Sequence, residues 1–373
     1  VPPDLRRLSR GGERGFADIG ESRRSTRYPS FPLFLGGSLA LIALTLHAGD
    51  SRFRINHMTL ERRHFLAGAI GLATATQTGA AIVATEGMTA WPPRESFRLW
   101  PGKPPGALAT LPKRNFTMNG TGARRELWLR GVADPVVGVY RPTNPDGRAL
   151  LAIPGGGYQF VSVQNEGINV ARTFVPLGIT VFVLGYRLPG EGWGNQEDVP
   201  LQDGQRAMRL IRANAARYGI DPAKLGCIGF SAGGLLSSSL AVASDDPVYD
   251  PVDAADQASA RPDFAGLVYP VTSGDFMRVG KFPSGRFDAA LRVNRRSPPI
   301  FIAHALDDPI VPLSQPMAML TAARTAGVAV EAHFFQEGGH GFGPTYLSRD
   351  LPGSRWPDLF DKWSSRALMG GKN

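Results

Sequence analysis

Lys224-Leu-Gly-Cys-Ile-Gly-Phe-Ser-Ala-Gly-Gly-Leu-Leu236 decides the reading of this 373-residue chain. It runs as a short apolar strand, a Gly-Phe-Ser-Ala-Gly turn and a small-residue helix start. Gly229-x-Ser231-x-Gly233 is the pattern of a nucleophile elbow, in which a serine sits in a strained turn between strand and helix. Glycines flank it because larger side chains would collide with neighbouring backbone. In a chain with 45 glycines the pattern alone says little, so its weight depends on what surrounds it.

Upstream, Arg148–Ile153 is a short apolar strand that runs into Pro154-Gly-Gly-Gly-Tyr158. Three glycines after a strand let backbone amides approach a ligand closely. The position suits an oxyanion loop, so Gly156 and Gly157, together with Ala232 after the serine, are the candidate oxyanion donors. A phosphate loop would call for Lys-Ser/Thr next, and Tyr158-Gln159 does not supply it. Asn165–Pro176 reads as a helix, Thr180–Gly185 as a buried strand, and Leu201–Tyr218 as a helix by its apolar spacing. Asp203, near the start of that helix, reads as a cap or a core ion-pair partner. Earlier still, Glu126–Val132 and Val136–Tyr140 alternate around a turn, which predicts an antiparallel hairpin. Strand, helix and strand in alternation with short links predict a mostly parallel sheet with helices on both faces.

Downstream, Phe264–Val271 and Pro299–Ala305 are apolar strands, Gln315–Ala326 a helix, Ala329–Phe335 a strand, and part of 356–368 a final helix. A serine nucleophile needs a base, and the base an orienting carboxylate. After residue 84 the chain holds three histidines, His304, His333 and His340. The first two lie in apolar strands and read as packed structural residues. His340 lies in the loop Gly338-Gly-His-Gly-Phe-Gly343, where an imidazole can be presented, so it is the candidate base. Asp307 and Asp308 both follow a strand, between serine and histidine in chain order. Asp308 is preferred from its setting, Asp308-x-x-Val311-Pro312, with Asp307 as the alternative. The order Ser231, Asp308, His340 separates this plan from chymotrypsin-like and subtilisin-like arrangements.

Composition bounds the rest. The chain is 43% hydrophobic and 20% charged, and five of its nine net positive charges fall in residues 1–84. The remainder is too mildly basic to suggest a nucleic-acid partner. Cys227 is the sole cysteine, which excludes an intrachain disulfide and a cysteine zinc site. It reads as a small buried hydrophobe. The reaction outlined needs no metal and no organic cofactor.

Residues 1–57 read as an upstream extension with an apolar run at Phe31–Leu46. Residues 58–84 resemble a twin-arginine export signal, with Arg62-Arg63 before a Gly/Ala-rich apolar segment, although Glu61 replaces the usual Ser or Thr. A periplasmic or secreted protein is expected, with no stable membrane partner after processing. The alternative is an N-terminal anchor at 31–46. Residues 85–124 are a Pro/Gly-rich lead-in, and 125–373 the catalytic domain, in which 190–199 and 272–297 are placed to shape a pocket.

From about residue 125 onward the chain resembles the α/β-hydrolase superfamily, and more narrowly its bacterial acetylxylan esterase-like group. The narrower likeness rests on Leu99-Trp-Pro-Gly102, Pro154-Gly-Gly-Gly-Tyr158, Tyr186-Arg-Leu-Pro189, Gly229-Phe-Ser-Ala-Gly-Gly234 and Gly338-Gly-His-Gly-Phe-Gly343. It implies an α/β-hydrolase fold and a serine esterase acting on acyl groups of plant polysaccharides or oligosaccharides. A general short-chain carboxylesterase is the alternative; a peptidase or a non-catalytic binding protein fits less well. Leu235 stands where such enzymes often have His, and Ala305 where Gly often follows the strand histidine.

Overall fold

The computed structural model describes residues 90–274, 276–278 and 288–369. The expected export signal, the apolar run at 31–46 and part of the 272–297 insert lie outside the described residues. Among the described residues no helix is long and apolar enough to cross a membrane.

The strands are β1 (Ser96–Arg98), β2 (Asn115–Asn119), β3 (Glu126–Arg130), β4 (Val136–Tyr140), β5 (Ala149–Ile153), β6 (Thr180–Gly185), β7 (Leu225–Phe230), β8 (Ala265–Val268), β9 (Ile300–Ala305) and β10 (Val330–Phe335). The main sheet runs in the order β1-β4-β6-β5-β7-β8-β9-β10. Strands β5 to β10 are mutually parallel, while β1 and β4 join antiparallel at one edge. Every residue of β5, β6, β7 and β9 is buried. Continuous apolar runs are what a sheet covered on both faces requires.

The helices are α1 (Asn169–Phe174), α2 (Val199–Ala213), α3 (Ala215–Tyr218), α4 (Ala232–Ala243), α5 (Ser314–Ala326) and α6 (Trp356–Leu368). Side chains alternate across a strand, so β7 shows how the two faces are covered. Cys227 points at α4, its Sγ 3.2 Å from Ser237 Oγ. Phe230 points the other way and meets Trp356 of α6 edge-on at 5.9 Å. Phe174 ties α1 to α6 through Trp356 and Phe360. Burial pushes the Cys227 thiol up to about 12, against the Ser237 hydrogen bond, which leaves it a small buried hydrophobe as expected.

An antiparallel hairpin is present, but it joins β2 and β3 in a separate two-stranded sheet; the expected pairing of Glu126–Val132 with Val136–Tyr140 does not form, and β4 lies in the main sheet. The link between β3 and β4 is held by a side chain and not by a tight hairpin turn. The Glu191 carboxylate accepts the amides of Gly131 and Val132, so the turn amides are satisfied by a side chain. Strand β4 pairs with β1 and β6. Strand β8 is also shorter than expected. Tyr269 turns the backbone into the left-handed region at φ 37, and the next residue, Pro270, has no amide to continue a ladder.

Asp203 is the core ion-pair partner. Its carboxylate accepts the Arg187 guanidinium at 2.7 Å, the Arg187 amide at 2.8 Å and the Trp100 indole at 2.8 Å. Both charged side chains are fully buried. Arg187 stacks near Trp100 and Trp193 and donates to the Pro105 carbonyl. The Leu99-Trp-Pro-Gly102 lead-in is thereby locked onto α2. Breaking a buried pair leaves an uncompensated charge, which costs about 3–5 kcal/mol. Asp203→Ala is therefore expected to lower unfolding free energy by that amount, read as a shifted urea midpoint; a shift under about 1 kcal/mol would contradict the assignment.

Candidate active site

The loops at the carboxyl ends of the parallel strands carry the candidate residues, the place where open α/β sheets bind ligands. Ser231 follows β7, which lies inside the sheet. Its backbone sits at φ 52, ψ −120, a conformation that costs of order 1–3 kcal/mol for a side-chain-bearing residue. The surroundings hold it there. Its amide donates to the Val268 carbonyl at 3.1 Å, and its carbonyl accepts the Val271 amide at 3.0 Å and the Gly234 amide at 2.9 Å. A Cβ on Gly229 would lie 2.1 Å from the Gly233 carbonyl oxygen, and one on Gly233 would lie 2.2 Å from that of Ile153. Neither position admits any other residue without moving backbone.

Ser231, His340 and Asp308 are brought together. Ser231 Oγ lies 2.9 Å from His340 Nε2, and His340 Nδ1 lies 2.7 Å from Asp308 Oδ2. The Asp308 side chain is 1% exposed and that of His340 13%. Asp308 Oδ1 accepts the amides of Ile310 and Val311 at 2.8 and 2.9 Å. Burial would raise its carboxyl, but the His340 hydrogen bond, those amides and the imidazole charge outweigh it and hold it below the usual range. An ionised carboxylate only accepts. The proton must then sit on Nδ1, which leaves the Nε2 lone pair facing the serine hydroxyl.

Asp307 is exposed, and its Oδ1 accepts the Gly339 amide at 2.8 Å. It braces the histidine loop without touching the imidazole. Of the other two histidines, His304 is buried as expected, and burial lowers its pKa. His333 is only half-buried, because β10 is the edge strand; it pairs with Glu331 at 3.0 Å.

The glycine loop lies against the serine, since a Cβ on Gly155 would stand 2.9 Å from Ser231 Cβ. The Gly155 amide is already committed to Glu166 Oε2 at 2.6 Å. The positive-φ glycines 156 and 157 follow it. Ala232 opens α4, where helix geometry leaves its amide without an intrahelical acceptor. The sequence reading missed Glu166 and Tyr269. Glu166 is buried beneath the glycine loop, and Tyr269 stands edge-on to His340 at 5.0 Å. Glu166 sits among polar neighbours, Gln164, Asn165 and Asn169, so no local pattern marked it for burial.

The model of the prolyl oligopeptidase family matches residues 184–351. The chain is 32% identical to the acetylxylan esterase of Xylanibacter ruminicola over 221 residues, 55% of this chain and 43% of that one. It is 35% identical to endo-1,4-beta-xylanase B of Butyrivibrio fibrisolvens over 204 residues, 52% of this chain and 32% of that one. It thus spans less than half the length of either relative. Among solved structures, the acetyl ester-xyloside bifunctional hydrolase from Caldicellulosiruptor lactoaceticus superposes with a TM-score of 0.56 at 31% identity, covering 64% of this chain and 89% of that one. MGS-M1, an alpha/beta hydrolase enzyme from a Medee basin deep-sea metagenome, gives 0.51 at 26% identity, covering 69% and 98%. Sheet order, the elbow at Ser231 and these likenesses agree: the chain belongs to the α/β-hydrolase family.

Proposed function

We propose that the protein is a serine esterase that removes acyl groups, acetyl above all, from xylan or related plant saccharides. The observation that carries the reading is the continuous Ser231–His340–Asp308 array, with 2.9 and 2.7 Å links, beside a glycine loop. His340 takes the serine proton as Ser231 Oγ attacks the ester carbonyl, and Asp308 stabilises the imidazolium. The Ala232 amide, with that of Gly156 or Gly157, receives the developing oxyanion; one such donor is worth about 10²–10³ in rate. The alcohol leaves with the proton from His340. Water then attacks the acyl-enzyme, with His340 again as base, and releases the carboxylic acid.

The saccharide part of the reading draws on the relatives named acetylxylan esterase and xylanase B and on the acetyl ester-xyloside hydrolase. A peptidase is the second reading, favoured by the prolyl oligopeptidase family match. Acetate release from acetylated xylo-oligosaccharides, run beside 4-nitrophenyl acetate and a prolyl 4-nitroanilide, separates them. The expected result is release from the sugar and the aryl ester, with the anilide untouched. Hydrolysis of the aryl ester alone would reduce the reading to a general carboxylesterase, and anilide cleavage would replace it.

A further inference from the structure

Glu166 is 4% exposed and lies in the π-helical turn Gln164–Ile168 that leads into α1. Its two oxygens face two donors. Oε2 accepts the Gly155 amide at 2.6 Å, and Oε1 accepts the Tyr269 hydroxyl at 2.8 Å. The Tyr269 oxygen in turn accepts the Gly343 amide at 3.0 Å, in the histidine loop. Its ring meets the His340 imidazole edge-on at 5.0 Å. The neighbouring Asn165 donates to the Gly341 carbonyl at 2.9 Å. Burial and the Glu126 charge push the Glu166 carboxyl up to about 7, against the Gly155 amide, the Tyr269 hydroxyl and His340. An acid kept in so unfavourable a place is more than filling.

We propose that Glu166 and Tyr269 are positioning residues. The relay Gly155–Glu166–Tyr269–Gly343 ties the glycine loop to the histidine loop and sets how far the oxyanion amides stand from His340 across Ser231. The proposal rests on the esterase reading above. The two loops follow β5 and β10, which share no ladder: β7, β8 and β9 lie between them. Their spacing therefore needs a link above the sheet, and this relay supplies one. A carboxylate suits it because both of its oxygens accept. Glutamine offers one oxygen and one NH₂, so the Tyr269 hydroxyl would have to turn and accept the NH₂, and its own proton would lose its acceptor.

The test compares Glu166→Gln, Tyr269→Phe and the double variant with wild type on 4-nitrophenyl acetate. Rates are normalised to the sites that a fluorophosphonate labels at completion, and folding is checked by circular dichroism. Misplacement by about 1 Å can cost about 10²-fold. Each single variant is expected to lose about 10–100-fold in kcat with KM within about threefold. The double variant should lose no more than the worse single one, since one cut already breaks the relay. A merely structural pair would shift the melting temperature while kcat per labelled site held. Should Glu166→Gln not fold, Tyr269→Phe, which deletes one hydroxyl, carries the readout. Single variants with kcat within twofold of wild type, or losses that multiply in the double variant, would overturn the relay. Wild type inactive on both aryl and sugar acetates would instead overturn the esterase reading, and the relay with it.

Discussion

Ser231→Ala is expected to lower kcat for the proposed ester hydrolysis by about 10⁴–10⁶-fold and to leave the fold in place. The size follows from the array acting as a unit. Where serine, base and acid cooperate, loss of the nucleophile alone removes nearly all that the three supply, and the residual rate comes from oxyanion stabilisation and binding. The fold is spared because the substitution deletes one oxygen. The positive φ at residue 231 is as available to alanine as to serine, and the three backbone hydrogen bonds that hold the turn involve no side chain. Steady-state rates on 4-nitrophenyl acetate, with a thermal melt of the same sample, check both halves. A folded variant retaining a hundredth of wild-type activity would remove Ser231 from the mechanism.

Asp308→Asn and Asp307→Asn are expected to part by about four orders of magnitude. At 308 the carboxylate fixes the proton on His340 Nδ1 at 2.7 Å. An asparagine can turn its NH₂ toward that nitrogen, which puts the proton on Nε2, facing the serine. The base is then in the wrong tautomer, a fault worth about 10⁴ in kcat in a comparable triad. At 307 the acceptor of the Gly339 amide survives as the asparagine oxygen, so the histidine loop keeps its brace and kcat stays within about threefold. Equal losses in the two variants, measured side by side, would show that the acid has been misassigned.

Local pattern carried a large part of the site. A buried strand, a Gly-x-Ser-x-Gly turn and a small-residue helix start leave few conformations for residues 225–243. Chain order left Asp307 and Asp308 as candidate acids, and the glycine-rich loop singled out His340 as candidate base. The preference for 308 over 307 rests on the setting Asp308-x-x-Val311-Pro312; in the structure Asp308 accepts the amides of Ile310 and Val311 and its side chain is buried. The pairing of β3 was not legible in the same way. Alternation says that a segment is a strand but not which strand it pairs with; β3 lies against β2, and the link to β4 is held by Glu191 from sixty residues away. His333 misled for a related reason: an apolar strand implies burial only when both its neighbours are present, and β10 has one.

From the sequence alone came the parallel-sheet architecture, the candidate nucleophile with its turn, and the candidate base and acid, because each depends on backbone propensity and on order along the chain. The tertiary structure alone decided which strands pair at the antiparallel edge. It also decided that Asp203 neutralises Arg187 in the core, and that Glu166 and Tyr269 link the two loops around Ser231. Those contacts join residues from 11 to 103 positions apart. No local period encodes them; they exist only once the sheet has brought the ends of β5, β8 and β10 to one side of the molecule.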